Sequence, residues 1–173
     1  MPASMLPSET RRTAYAVVLV AMGVALAPYT SIPVGIARIN PTQHFINVMA
    51  AVLLGPWWAT LIAGAVAVLR NVMGVGTLLA FPGGMIGALL AGFCYQRWRG
   101  LLPAAAGEVV GTGLIAPLVC ALLVAPVLMG KAVSFLALLP SFALSALAGA
   151  ALGVLTLRFL ERAEIIHLRD WST

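Results

Sequence analysis

The sequence predicts an all-α integral membrane bundle of six transmembrane helices. Three observations lead there: a composition too apolar for water, apolar blocks cut at intervals by Pro, Gly and charge, and basic residues gathered at alternate block ends. Hydrophobic residues make up 62% of the 173 residues and charged residues only 9%, with a mean hydropathy of +1.05. Soluble domains carry about 25% charged residues. A surface so poor in charge has to be covered by lipid, and the length suits one domain of five to seven spans.

The first apolar block runs from residue 13 to about 27 and stops at Pro28. It has the length of a signal-peptide core, but further apolar blocks follow, so it reads as a retained first helix. A polar connection with Pro33, Arg38, Asn40 and Pro41 follows over 29–42. The next block, 43–69, is interrupted by Gly55-Pro56-Trp57-Trp58. A Gly-rich connection over 71–82 leads to a block at 83–95, a turn at 97–103, and two last blocks at about 104–128 and 132–157.

The interruption at Gly55-Pro56 decides the topology. Read as a turn, it places Arg11, Arg12, Arg97, Arg99, Arg158, Arg162 and Arg169 on one side and Arg38, Arg70 and Lys131 on the other, seven against three. One continuous helix over 45–69 gives five spans and a weaker six against four. The positive-inside rule therefore selects six helices with both termini cytoplasmic. Pro56 suits the first turn of a new helix, and Trp57 and Trp58 suit the interface. The second helix, 43–54, then measures only ~18 Å against a hydrocarbon core of ~30 Å, so it has to be half-length, tilted or sheltered by neighbours. The connections 28–42 and 71–82 and the link near Lys131 face outward, where irregular backbone suits a binding mouth.

The net charge of +5 raises a nucleic-acid reading, which the scattering of the basic residues as singles and pairs rejects. No catalytic or metal-binding set appears: His44 and His167 are too few, and Cys94 and Cys120 each sit inside an apolar block without ligand spacing. The segment from Gly74 to Gly84 resembles a phosphate loop only superficially, since it lacks the Lys and the preceding strand. No cofactor is expected.

Polar residues within apolar blocks carry more information, because in lipid they turn to the protein interior or a cavity. Gln43, His44 and Asn47 share one helix face at spacings of three and four and can hydrogen-bond a small heterocycle; they can equally cap the helix or bind a neighbour. Arg70 and Asn71 end the third helix on the same outer side, where Arg70 either meets a ligand or snorkels to headgroups. Phe81 either stacks on a ligand ring or packs in the core. Glu108, the one acid inside an apolar block, reads as a buried carboxyl held by neighbours such as Thr112 rather than as part of a proton relay. Small residues recur at helical spacing: Ala21 with Ala25 and Gly23 with Ala27, Gly107 with Gly111, and the face Ser141, Ser145, Gly149, Gly153.

The run from Pro41 through Thr-Gln-His-Phe-Ile-Asn to Gly55-Pro-Trp-Trp-Ala59, then Leu69-Arg-Asn, then Gly76-Thr-Leu-Leu-Ala-Phe-Pro-Gly-Gly-Met-Ile-Gly-Ala88, closely resembles the ThiW family over about residues 12–160. Members are substrate-capture (S) components of energy-coupling factor (ECF) transporters. The resemblance implies a non-enzymatic six-helix membrane domain over 12–162, with cytoplasmic tails at 1–11 and 163–173. It implies capture of a thiamine precursor, hydroxyethylthiazole, from outside by Gln43, His44, Asn47, Arg70, Asn71 and Phe81. It further implies association with a transmembrane coupling protein and two cytoplasmic ATPases, with Ala21 and Ala25 docking the coupling protein. A stand-alone secondary transporter of a small heterocycle is the alternative, with Glu108 as its one coupling candidate, and a phosphorylated precursor at Arg70 stays open beside the free one.

Overall fold

A computed structural model describes residues 9–34 and 37–166. The readings of His167 and Arg169, and most of both tails, lie outside the described residues. Six helices form the bundle: α1 (Glu9–Thr30), α2 (Pro41–Leu54), α3 (Pro56–Val72), α4 (Ala80–Trp98), α5 (Leu101–Leu128) and α6 (Phe135–Arg162). Three of them, α1, α5 and α6, are long and apolar enough by themselves to cross a membrane. The all-α membrane bundle expected from composition is what the chain forms.

The chain turns where the sequence placed the turn. Gly55 holds φ at 88°, a left-handed conformation that a side chain disfavours, and Pro56 opens α3 at its first position, where a missing N–H costs nothing. Three boundaries differ from expectation. Helix α1 starts at Glu9 and continues past Pro28 to Thr30, because a proline in the last turn removes one hydrogen bond without a following turn to break. Helix α4 takes in Pro82 and α5 takes in Pro103, both within first turns that tolerate proline.

The polar connection after α1 is not irregular throughout. It holds an antiparallel pair, β1 (Ile32–Val34) and β2 (Ala37–Ile39), in the register Ile32↔Ile39, Pro33↔Arg38, Val34↔Ala37. Asn40 then caps α2, its Oδ1 accepting from the Gln43 backbone N–H at 3.1 Å, with Pro41 in the first turn. The cap is therefore Asn40, and the side chains of Gln43 and His44 are left to other uses.

The short second helix is explained by where it lies. Helix α2 packs against all five other helices and almost every residue in it is buried. Its first turn meets α6 at Gly149, halfway along Phe135–Arg162, so α2 begins at mid-bundle depth. A 14-residue helix spans ~21 Å and suffices there because protein, not lipid, surrounds both ends. The face Ser141, Ser145, Gly149, Gly153 of α6 is buried, as are Gly107 and Gly111 of α5, so these small residues allow backbones to approach within the bundle. One core cluster surrounds α2 through Ile46, Val48, Val52, Val66, Ala88 and Ala150; a second joins Ala37 of β2 to Leu79, Cys120, Leu138 and Phe142. The hairpin is thus pinned between the longer helices by Ala37.

Helix α5 is irregular in a defined place. Two wide, π-helical turns, Gly111–Ile115 and Cys120–Leu128, flank one regular turn. Pro117 and Pro126 each remove a backbone donor, and a wider turn is one way the helix absorbs that loss. Thr112 sits in the first of them.

Candidate functional site

Two polar layers lie around the N-terminal half of α2. The inner layer centres on Glu108, which is fully buried. Its Oε1 accepts from Asn47 Nδ2 at 3.0 Å and lies 2.8 Å from His44 Nδ1. The Thr112 hydroxyl is 3.0 Å from the same oxygen and 2.7 Å from the Gly83 carbonyl, so its single proton serves one of the two. Asn47 also donates to the Gly84 carbonyl at 3.0 Å, tying α2 to α4. When Nδ1 of His44 donates to the carboxylate, Nε2 is the ring's remaining polar atom. This layer needs Gly87: a Cβ there would collide with the Thr112 hydroxyl and would come 2.7 Å from Glu108 Oε1.

The outer layer is a cleft lined by Ala37 and Arg38 of β2, Asn40, Gln43 and His44 of α2, Arg70 of α3, Ala80, Gly83 and Gly84 of α4, and Phe142 and Ser145 of α6. Arg70 reaches Gln43 Oε1 through one terminal nitrogen and the Ser31 hydroxyl, at 3.5 Å, through the other. Gln43 Nε2 donates to the Ala80 carbonyl at 3.4 Å. Asn40 N–H donates to Ser145 Oγ at 2.5 Å, which fixes the hairpin to α6. The volume of the cleft is about 30 Å³, room for a water molecule or two.

Of the residues singled out from sequence, Gln43, His44 and Arg70 meet in this cleft. Asn47 stands one layer deeper, behind His44. Asn71 shapes the neighbouring loop, donating to the carbonyls of Ala67 at 2.8 Å and Thr77 at 3.2 Å. Phe81 is half-buried at the start of α4 and is absent from the cleft lining; the aromatic ring that faces Gly83 in the cleft is Phe142. Glu108 is held by neighbours as expected, Thr112 among them, but its principal partners come from α2. Sequence reasoning passed over Arg38, Asn40, Phe142 and Ser145 as site residues. The alternation of Ser and Gly along α6 was the one signal pointing to Ser145.

On α1, the two overlapping small-residue pairs separate. Gly23 and Ala27 are buried against the bundle, whereas Ala21 and Ala25 are exposed and line an apolar groove with Trp58, Leu61, Ala65 and Leu69 of α3.

A model of the family described as thiamine-precursor transporter protein (ThiW) matches residues 13–163, nearly the whole chain. The chain belongs to the ThiW family. ThiW proteins are membrane transporters rather than enzymes, in keeping with the apolar bundle. Among solved structures, an S component of a bacterial ECF transporter matches with a TM-score of 0.75 at 14% identity, covering 91% of this chain and 99% of the other. At that identity the likeness establishes the fold: this ThiW chain has the six-helix architecture of an S component. No curated protein matches the sequence.

Proposed function

We propose that this ThiW-family chain is the substrate-capture subunit of an ECF-type, ATP-driven importer that takes hydroxyethylthiazole from outside the cell and delivers it inward. The observation that carries the reading is a polar cleft at mid-bundle depth, lined by His44, Gln43 and Arg70 and roofed by a two-stranded hairpin. In this reading the heterocycle meets the His44 ring and Gln43, with Phe142 against its face, while Asn47 and Glu108 hold His44 from behind. A thiazole with its hydroxyethyl arm exceeds a volume of about 30 Å³, so the hairpin has to lift for entry and close afterwards.

The cleft faces outward and both termini are cytoplasmic, as the seven-against-three distribution of basic residues supports. The groove at Ala21 and Ala25 receives the transmembrane coupling protein, which carries two cytoplasmic ATPases. Release inward follows reorientation of the loaded subunit when the ATPases cycle. Uptake that persists without any ATPase partner would instead mark a stand-alone secondary transporter.

Titration of the purified chain with hydroxyethylthiazole tests the site. A buried hydrogen bond contributes about 0.5–1.5 kcal/mol net, so His44→Ala and Asn47→Ala are each expected to weaken binding roughly 3- to 10-fold. Unchanged affinity in both variants removes the site assignment.

A further inference from the structure

The cleft is electrostatically one-sided. Among the described residues, two guanidinium groups, Arg70 and Arg38, belong to its lining, and no acidic residue does. Among the described residues the acids are Glu9 at the start of α1, Glu161 and Glu164 at the far end of α6, and Glu108, which is engaged by His44 and Asn47. Arg70 is 2% exposed, and among the described residues its terminal nitrogens reach only the neutral Gln43 and Ser31 while its Nε has no partner. Arg38 opposes this charge instead of neutralising it. A buried cation with neutral partners only is costly in a protein interior and more so at membrane depth, so such a group normally faces a counter-charge.

A second observation points the same way. Among the described residues, five buried side-chain atoms lack partners: Asn40 Nδ2, Arg70 Nε, Asn47 Oδ1, Glu108 Oε2 and Ser141 Oγ. Of these only Asn40 and Arg70 line the cleft, and both atoms are donors. The Asn40 amide orientation is fixed, because its Oδ1 accepts the capping bond from Gln43. The cleft therefore lacks acceptors and negative charge together. A neutral thiazole alcohol brings few acceptors and no charge, whereas a phosphomonoester brings three acceptor oxygens and the geometry that a guanidinium fork matches.

We infer that the cleft is built for an anionic form of its ligand, a phosphate monoester on a small heterocycle, with Arg70, Arg38 and Asn40 holding the phosphate. This rests on the reading of the cleft as the precursor site. The test compares three probes on the full chain in non-ionic detergent: hydroxyethylthiazole, its phosphate monoester, and inorganic phosphate. The monoester is expected to bind at least about tenfold more tightly than the alcohol, the gain that one charge-assisted hydrogen bond supplies. Arg70→Gln and the half-exposed Arg38→Gln should each bring that ratio down to about threefold or less. Binding of the alcohol with no preference for the monoester overturns this inference and leaves the thiazole reading standing. Binding of neither overturns both. Inorganic phosphate, or added phosphatidylglycerol, stabilising the chain as well as the monoester does would also overturn it, by showing that the anion alone is read. The comparison on the unaltered chain decides the matter even where Arg70→Gln fails to fold.

Discussion

Glu108 gathers donors from two helices, and its neighbours depend on it as much as it depends on them. Removing it by Glu108→Ala leaves His44 and Asn47 without their shared acceptor in a buried position, at about 1–3 kcal/mol for each stranded group. The expected outcome is a melting temperature lowered by several degrees in a thermal-shift measurement, with Glu108→Gln, which keeps one acceptor oxygen, falling less. An unshifted melting curve for Glu108→Ala would contradict the hub. Part of this site was legible in the sequence. Helical spacing put His44 and Asn47 on one face, and an acid within an apolar block had to be buried and held. The pairing itself was not legible, because His44 and Glu108 lie 64 positions apart and only the packing of α2 on α5 brings them together. The same holds for Arg70 and Gln43, 27 positions apart, and for the choice of Phe142 over Phe81 as the cleft aromatic.

At the scale of elements, the turn at Gly55-Pro56 could be read directly because both residues have narrow backbone preferences. The hairpin could not, since Pro33 lacks a ladder donor and argues against a strand; it is tolerated here because a two-stranded pair is all edge. As the roof of the cleft, the hairpin is expected to exchange its backbone amides faster than α2, and saturating ligand should slow exchange at 32, 34 and 37–39 while leaving α2 unchanged. Hairpin exchange indifferent to ligand would remove the gate. The α4–α5 contact gives a second test. Gly87→Ala puts a methyl group into Thr112 and Glu108, and overpacking of this kind costs about 1–3 kcal/mol. Its expected signature is a lower melting temperature together with weaker ligand binding, because the group it displaces supports His44.

Across the whole molecule, the proposed function requires two surfaces that do not interfere: a cleft inside the bundle for the ligand and a groove outside it for the coupling protein. The groove at Ala21 and Ala25 lies on the exposed side of α1, away from the cleft lining. Ala21→Trp with Ala25→Trp should therefore leave ligand binding unchanged while abolishing ATP-driven uptake in cells; uptake at the unaltered rate would remove the docking role. The central claim is that the cleft opens on the face of the membrane opposite the basic helix ends. Sided thiol labelling tests it most directly, using Tyr29→Cys beside the hairpin and Trp98→Cys at the end of α4, in a chain carrying Cys94→Ala and Cys120→Ala. Both positions are exposed, at 86% and 62%. A membrane-impermeant maleimide applied to intact cells is expected to label the first at once and the second only after permeabilisation, and labelling of both from one side would contradict the account.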